Sequence, residues 1–396
     1  MKWGKVKLGD VCEITSSKRI FYSEYVDDGV PFYRSKEIIE SDEGKIIENP
    51  LYISVDKYNE IKEKFGVPQT GDMLLTSVGT IGIPYIIKKK DCFYFKDGNL
   101  TWFRDFREGL NSKYLYYWIK SSEGTGTLYN TTIGSSQKAL TISALKNIKV
   151  SLPPRSVQDK IVEVVSVYDD LIENNQKQIK LLEEAAQRLY KEWFVDLRFP
   201  GHENTKIVDG VPEGWNEKTL SQVADVIMGQ SPKSEFYNSE KKGLPFHQGV
   251  GSYGVRFVMD DIYSTSYTRI AEPNSILFSV RAPVGRLNIT KNKVVIGRGL
   301  AAINQTDGCQ SYLYYLLKNK FFKDNIVGNG SIFASVSKDE LLNQKFLIPE
   351  RNLMMQFEKI VSQVDKQIEN LDSKNKKLIE ARDRLLPKLM SGEVEV

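Results

Sequence analysis

The chain carries basic and amide side chains with aromatic neighbours, a combination suited to binding a nucleic acid. Lysine and arginine alternate with phenylalanine and tyrosine in the first half, and similar residues lie in glycine-rich, turn-like surroundings in the second half. Arginine and glutamine can make bidentate contacts to base edges, whereas lysine and backbone amides hold phosphates. The predicted nucleic-acid contacts are Lys18, Arg19, Arg34, Lys36, Gln230, Ser231, Lys233, Arg281, Arg286 and Arg298. The alternative for each of them is a solvated loop residue.

A second set of candidate contacts consists of small polar residues. Most of them come just before a segment with a helix-start pattern, where exposed backbone amides favour a phosphate. The same residue types also serve as ordinary helix caps, so both interpretations stay open. The predicted contacts of this set are Ser135, Ser136, Lys138 and Ser331, with Ser77 and Thr80 at the end of a strand predicted over 73–78.

The chain lacks the motifs that catalysis would need. It has two histidines, His202 and His247, and three cysteines, without CxxC, HxH or HExxH spacing, so we expect no zinc site. No GxxxxGK[ST] sequence is present, so we expect no ATP hydrolysis. The Leu-Pro-Pro-Arg sequence at 152–155 lacks the acidic or amide residue and the aromatic residue with which adenine-N6 methyltransferases hold a flipped adenine. We therefore expect a non-catalytic chain without its own cofactor or metal.

Length and composition limit the possible classes of protein. With 396 residues, of which 41% are hydrophobic, the chain should form two or three globular domains. The net charge of +4, from 55 basic and 51 acidic residues, excludes a polycation but permits a local basic face. No apolar run approaches the roughly 18 residues of a membrane span, and the N-terminus has no apolar signal core. We expect a cytoplasmic protein without a membrane partner.

The two halves of the chain repeat each other. The segment 3–14 is matched by 215–226 at an offset of 212 (215 − 3), and Tyr-Leu-Tyr-Tyr recurs at 114–117 and 312–315. From 148–153 onward the offset is 196, and it does not change again. Loops absorb insertions, whereas a helical spacer loses its register when a residue is inserted. The pattern therefore predicts the duplication of a whole globule followed by a long helix.

Both predicted helices, over 153–195 and 349–390, carry a heptad pattern. Apolar residues recur at steps of three and four, which is typical of a coiled-coil seam. The seam residues in the first helix are Ile161, Val165, Tyr168, Ile172, Asn175, Ile179, Leu182, Leu189 and Trp193. In the second helix they are Phe357, Val361, Ile368, Leu371, Asn375, Leu378 and Leu385.

We expect the two helices to pair antiparallel. An unpaired amide in a seam costs about 1–3 kcal/mol, and placing Asn175 opposite Asn375 removes that cost. The sum 175 + 375 = 550 then sets the register and places Trp193 opposite Phe357. Forty helical residues make a rod of roughly 60 Å, which could hold two globules on separate major-groove segments of duplex DNA. There are two alternatives. The register of the pair could be shifted by one heptad, or each helix could pack on its own globule instead of on the other helix.

The predicted fold class is α+β. Two similar mixed α/β globules over 1–152 and 199–348 are separated by a long antiparallel two-helix coiled coil, formed by 153–198 and 349–390. A tail follows at 391–396, and the internal repeat predicts pseudo-two-fold symmetry. Each globule has one short amphipathic helix candidate, over 112–119 or 311–317.

The chain resembles, over its full length, the specificity subunits of type I restriction–modification systems. The residues that carry the resemblance are Val-Pro-Glu-Gly-Trp at 211–215, Glu-Trp-Phe-Val-Asp at 192–196, Phe-Pro-Gly-His-Glu at 199–203, and Leu-Pro-Lys-Leu-Met-Ser-Gly-Glu at 386–393. The prolines before each helix, at 153–154 and 349, add to it. The proline at 387 departs from the helical pattern, so we expect the last layers, Leu385 to Leu389, to be bent or frayed.

The resemblance implies a function for each part. The globules would be target recognition domains, each recognising one half of a bipartite, asymmetric site in double-stranded DNA. The helices would dock two adenine-N6 methyltransferase (modification) subunits, which bind S-adenosylmethionine, and a restriction subunit that uses ATP and Mg would join them. A competing hypothesis is a non-catalytic structural adaptor with two protein-binding globules on a coiled-coil rod.

Overall fold

A computed structural model describes residues 3–42, 47, 49–134, 138–321 and 335–396. The chain divides into two compact units. Unit 1 contains Met1–Lys177 and Asp372–Val396, and unit 2 contains Gln178–Leu371. Each of the two long helices contributes residues to both units. Of the described helices, none has a stretch long and apolar enough to cross a membrane.

Unit 1 is built around two small sheets. Its described strands are β1 (Gly4–Lys7), β2 (Glu13–Thr15), β3 (Tyr25–Val26), β4 (Val30–Tyr33), β5 (Leu51–Ile53), β6 (Met73–Thr76), β7 (Pro84–Ile86), β8 (Tyr94–Phe95), β9 (Leu100–Arg104) and β10 (Lys149–Leu152). One sheet has the order β2-β9-β6-β7 and is antiparallel, and the other has the order β3-β5-β4-β8, with β4 and β8 parallel. A separate pair, β1-β10, closes the globule before the long helix.

The helices of unit 1 cover these sheets. They are α1 (Ser35–Asp42), α2 (Val55–Phe65), α3 (Ser112–Lys120), α4 (Ser122–Thr131), α5 (Ile142–Asn147) and the long α6 (Arg155–Phe194), whose later residues belong to unit 2. Asn111, Ser121 and Thr141 cap α3, α4 and α5 by accepting a backbone N–H, as short polar side chains do at helix starts. All four residues of β6 are buried, and β6 runs through the middle of its sheet, so the core lies on both of its faces.

Unit 2 has a larger set of strands. They are β11 (Ile207–Val208), β12 (Val211–Pro212), β13 (Asn216–Thr219), β14 (Ala224–Met228), β15 (Tyr237–Asn238), β16 (Leu244–His247), β17 (Tyr263–Ser264), β18 (Ile270–Ala271), β19 (Ile276–Ser279), β20 (Leu287–Ile289), β21 (Val294–Ile296), β22 (Leu300–Gln305) and β23 (Lys345–Ile348). Its helices are α7 (Leu220–Val223), α8 (Gln310–Phe321), α9 (Lys338–Leu342) and the long α10 (Arg351–Ser391), which ends in unit 1.

The strand order of unit 1 recurs in unit 2. The sheet β14-β22-β19-β20 repeats β2-β9-β6-β7, and β15-β17-β16-β21 repeats β3-β5-β4-β8, with β18 added at the edge. The parallel pair recurs as well, because β16 and β21 are parallel as β4 and β8 are. The pair β13-β23 precedes α10 as β1-β10 precedes α6. The duplication visible in the sequence is therefore a duplication of topology.

The long helices run antiparallel within each unit. In unit 1, the amide of Asn175 donates a hydrogen bond to Oδ1 of Asn375 at 2.8 Å, so the asparagine pair that the sequence predicts is present. In unit 2, the rings of Trp193 and Phe357 lie 5.9 Å apart between centroids, at the same sum of residue numbers, 550. All the predicted seam positions are buried or partly buried.

Of the bending or fraying expected at Pro387, the fraying is not observed, because α10 continues through Pro387 to Ser391. Proline removes one backbone N–H and clashes with the preceding turn, so other contacts must hold the last turn. Leu386, Leu389 and Met390 supply them, because all three are buried in the core of unit 1 beside Ile161 and Val165.

Candidate nucleic-acid interface

In unit 1, loops from several strands meet at one end of the sheets. The N–H of Ser77 donates to the carbonyl of Asn99 at 2.8 Å, and the hydroxyl of Ser35 lies 3.5 Å from the same carbonyl. A β-bridge between Val78 and Ala139 adds the segment that contains Lys138. These contacts gather the segments after β4, β6 and β8, and the segment after β2 joins them through Arg19 and Asp97.

The cations of this region are paired with carboxylates or rings. Nε of Arg19 lies 2.9 Å from Oδ2 of Asp97. Arg34 and Glu37 form a forked pair, with Nη2 to Oε1 at 2.7 Å and Nε to Oε2 at 3.3 Å. Burial alone would raise the pKa of Glu37, but the hydrogen bonds from Arg34 hold it below its usual value.

The three predicted lysine contacts of unit 1 lie on aromatic rings or on the surface. The ammonium of Lys18 lies 4.3 Å from the centroid of the Phe65 ring, and that of Lys138 lies 3.5 Å from the centroid of the Tyr129 ring. Lys36 is exposed and lies 3.6 Å from Glu40 in the next helical turn. Such exposed pairs are weak and leave the charge available to a partner.

The prediction for Ser77 is wrong. Its side chain is buried, and its hydroxyl lies 3.2 Å from the carbonyl of Leu75 and 2.7 Å from the hydroxyl of Thr101. It holds the strand end together and cannot reach a partner. Thr80, three residues later, is exposed. The predicted contacts Ser135, Ser136 and Ser331 lie outside the described residues.

In unit 2, the corresponding loops meet in the same way. The N–H of Gln230 donates to the carbonyl of Ile296 at 3.0 Å, and the N–H of Arg298 donates to Oγ of Ser231 at 3.2 Å. The N–H of Val280 donates to the carbonyl of Gly299 at 2.9 Å, which places the next residue, Arg281, beside this group. Four predicted contacts, Gln230, Ser231, Arg281 and Arg298, are thus brought together.

The two remaining predicted contacts of unit 2 are Arg286 and Lys233. Arg286 belongs to the hairpin between β19 and β20 and lines a cavity of about 330 Å³ with Tyr253, Tyr314 and Lys318. Lys233 is exposed at the end of its loop, 3.8 Å from Glu235. Both residues are exposed at the surface.

Gln248 is a candidate contact that the sequence analysis missed. It is exposed, directly follows β16, and its Oε1 lies 2.8 Å from the hydroxyl of Ser231. The available signal was a glutamine in a glycine-rich segment, because Gln248 precedes Gly249 much as Gln230 follows Gly229. Within the described ranges, no group of three or more His, Cys, Asp or Glu side chains is arranged to hold a metal ion.

Solvent-facing cations and amides, gathered on loops at the same end of two repeated modules, are typical of a duplicated nucleic-acid-binding protein. The family model of the type I restriction modification DNA specificity domain matches the chain twice, over residues 1–184 and 212–381. The chain therefore belongs to this family. The two matches fall on the two halves of the repeat.

Individual relatives cover the whole chain. The chain is 28% identical over 421 residues to the type I restriction enzyme MjaIX specificity subunit of Methanocaldococcus jannaschii, covering 100% of this chain and 94% of the relative. It is 22% identical over 417 residues to the MjaVIII specificity subunit of the same organism, covering 100% and 93%. The crystal structure of the type I restriction-modification S subunit from M. genitalium has the same fold, with a TM-score of 0.58 at 17% identity, covering 98% of this chain and 96% of that one.

Proposed function

We propose that this chain is the DNA-specificity subunit of a type I restriction–modification complex and recognises a bipartite, asymmetric site. The observation that carries the proposal is the repeat: two units of one topology each gather polar and cationic loops at the same end of their sheets. Unit 1 and unit 2 present different side chains at these loops. Two similar domains with different contact residues fit a site whose two halves differ in sequence.

The long helices act as the spacer in this proposal. In this proposal they form an antiparallel two-helix coiled coil. The hydrogen bond between Asn175 and Asn375 and the ring contact between Trp193 and Phe357 support this arrangement, because both belong to one antiparallel register. A register fixed by a buried amide pair would keep the gap between half-sites constant.

The helices also dock the partner subunits. In unit 1, Val164, Val167 and Leu171 of α6 form an exposed apolar stripe, with 36%, 53% and 45% of their surfaces exposed. Steps of three and four place them on one face, which suits another helix. Two adenine-N6 methyltransferase subunits, which carry S-adenosylmethionine, bind these helices, and a restriction subunit supplies ATP- and Mg-dependent cleavage. The chain itself is non-catalytic.

The test is to assemble this chain with its modification subunits and map methylated adenines on random-sequence DNA. The expected result is one bipartite motif with a constant, unspecified gap. Exchanging the globules with those of another specificity subunit at residues 153 and 349 should then exchange one half-site at a time. A stable complex without sequence preference would contradict the proposal and favour a protein-binding adaptor.

A further inference from the structure

Three loops of unit 2 form one compact group, which we name the three-loop cluster: residues 229–231, 247–249 and 297–299. Glycines permit their close approach. A Cβ at Gly229 would lie 2.1 Å from the carbonyl oxygen of Gly297, and one at Gly299 would lie 2.4 Å from the carbonyl oxygen of Gln248. Side chains at these positions would push the loops apart. The cluster therefore has a defined shape, and Gln248 lies at its centre.

A chain of hydrogen bonds orients the amide of Gln248. The N–H of Arg298 donates to Oγ of Ser231 at 3.2 Å, and the hydroxyl of Ser231 donates to Oε1 of Gln248 at 2.8 Å. The amide oxygen of Gln248 therefore faces Ser231, and its NH2 group is directed away from Ser231. A side chain whose orientation is fixed in advance loses less conformational entropy when it binds a partner.

The backbone of Gln248 is fixed from behind by His247. The imidazole is fully buried and lies between Oγ of Ser252, at 2.8 Å from Nδ1, and Oδ1 of Asp260, at 3.1 Å from Nε2. The carbonyl of His247 accepts the N–H of Gly297 at 2.8 Å. His247 is thus a positioning residue, which holds the loop that carries Gln248.

We propose that Gln248 determines specificity by recognising an adenine in the half-site bound by unit 2. This inference rests on the proposed function. A glutamine amide matches the major-groove edge of adenine, because its NH2 group donates to N7 and its oxygen accepts from the N6 amino group. Oε1 has a second lone pair for this bond while Ser231 occupies the first. Ser231 therefore orients Gln248 without replacing its contact to the base.

Unit 1 presents a different side chain at the matching position. Tyr33 ends β4 as His247 ends β16, and each is the second residue of the parallel pairing with the neighbouring strand. The next residue is Arg34 in unit 1, and its guanidinium is held by Glu37. Unit 1 therefore does not use an amide at this place, and the two half-sites should differ at the corresponding base pair.

The test uses the complex of this chain with its modification subunits and compares methylated motifs for the wild type, Gln248→Ala, Ser231→Ala and Ser239→Ala. We expect Gln248→Ala to lose about 10- to 100-fold of the discrimination for adenine at one position of the unit 2 half-site. Ser231→Ala should weaken the same position less. Ser239 is exposed in the segment between β15 and β16 and is outside the cluster, so its variant should leave the motif unchanged.

The half-site of unit 1 is the internal control, because it should be unchanged in every variant. The inference is overturned if Gln248→Ala keeps the full motif, or if the position that relaxes specifies a base pair without adenine. Thermal unfolding of each variant distinguishes a lost contact from a misfolded unit. If the wild type itself gives no bipartite motif, the proposed function fails, and this inference fails with it.

Discussion

The two units place an aspartate at the same position of their long helices and surround it differently. Asp169 and Asp365 are related by the constant offset of the repeat (169 + 196 = 365). In unit 1, Asp169 accepts a hydrogen bond from the hydroxyl of Tyr117 at 2.7 Å and pairs with Arg382 at 2.6 Å. Arg382 belongs to the partner helix α10, so both charges of this pair lie on the long helices.

In unit 2, the arginine comes from the globule. Nη2 of Arg256 lies 2.6 Å from Oδ1 of Asp365, and Nη1 lies 3.2 Å from the hydroxyl of Tyr315 and 3.5 Å from Glu183. Its guanidinium also stacks 3.8 Å from the centroid of the Tyr314 ring. Burial alone would lower the pKa of Arg256, but the tyrosines and carboxylates around it raise that pKa.

The difference shows which feature the repeat retains. The position of Arg382 corresponds to Ala186 in the other helix (382 − 196 = 186), so α6 has no cation to offer at that point. Both units keep the aspartate of the long helix and a tyrosine of the globule. The arginine that pairs with the aspartate comes from the other long helix in unit 1 and from the globule in unit 2. A carboxylate at the edge of a hydrophobic core is stabilised by a nearby cation. Either the other long helix or the globule can provide that cation.

In the candidate interface, the two units differ in whether their arginines are paired with carboxylates. In unit 1, Arg19 and Arg34 are paired with Asp97 and Glu37. In unit 2, the ion pairs found among the described residues include neither Arg281 nor Arg298, and both side chains are exposed. The two units therefore differ in whether their interface arginines have a carboxylate partner.

The largest expected effect is that of Arg256→Met. Removing the buried guanidinium leaves Asp365 and Glu183, which are partly buried, without their cation, and the loss should approach the roughly 3–5 kcal/mol of a broken buried pair. The matched variant in unit 1, Arg382→Met, should cost clearly less, because its side chain is 21% exposed whereas that of Arg256 is 2% exposed. Denaturant unfolding of the two variants measures the difference. Equal losses would contradict the idea that unit 2 depends on its buried arginine.

A smaller effect is expected from Glu37→Gln in unit 1. Hydrogen bonds to a charged group contribute about 1.5–3 kcal/mol, so the variant should be less stable at pH 7 by about that amount. Because the pKa of Glu37 is held below its usual value of 4.5, the contribution is present above pH 4.5 and is lost as the pH falls through the lowered pKa. Unfolding measured between pH 7 and pH 3 should show the two proteins converging. A constant difference would exclude the ionic pair as its cause.

The helices of this fold could be predicted because their signal is periodic and long. The heptad steps specified two helices within a few residues of Arg155–Phe194 and Arg351–Ser391, and the asparagine pair specified their register. The short helices contain fewer periodic residues, and the periodicity predicts only one in each globule. Helix α2 has a Ser54 cap and an apolar face at Tyr58 and Ile61, which is enough to predict it.

The candidate site was predicted less completely, because charge partners are distant in sequence. Arg19 pairs with Asp97 across 78 residues, and Arg256 contacts Glu183 across 73 and Asp365 across 109. The sequence neighbours of each arginine cannot indicate ion pairs with residues so far along the chain. Ser77 was misjudged for a related reason, because whether a hydroxyl at a strand end faces outward or toward Thr101 depends on the neighbouring strand.

Substituting Asn175 and Asn375 tests how much their hydrogen bond contributes to the free energy of unfolding. Asn175→Leu alone should cost about 1–3 kcal/mol, because it leaves the amide of Asn375 buried without its partner. The double variant Asn175→Leu with Asn375→Leu should recover most of this loss, since two apolar groups replace two polar ones. Chemical unfolding of both proteins provides the measurement. A double variant as unstable as the single one would show that the hydrogen bond is not the cause.

The smallest expected effect compares the exposed arginines of the two units on DNA. Arg281 in unit 2 is exposed and has no carboxylate partner among the described residues, so Arg281→Ala should remove about one phosphate contact. The slope of log K against log salt concentration should then become shallower by about 0.9. Arg19→Ala should change it less, because Asp97 already offsets that charge. Binding of the assembled complex to a duplex without the site, measured from about 50 to 200 mM salt, gives both slopes. Equal changes would mean that the carboxylate of Asp97 moves away when DNA binds, and that the charge difference between the units disappears in the complex.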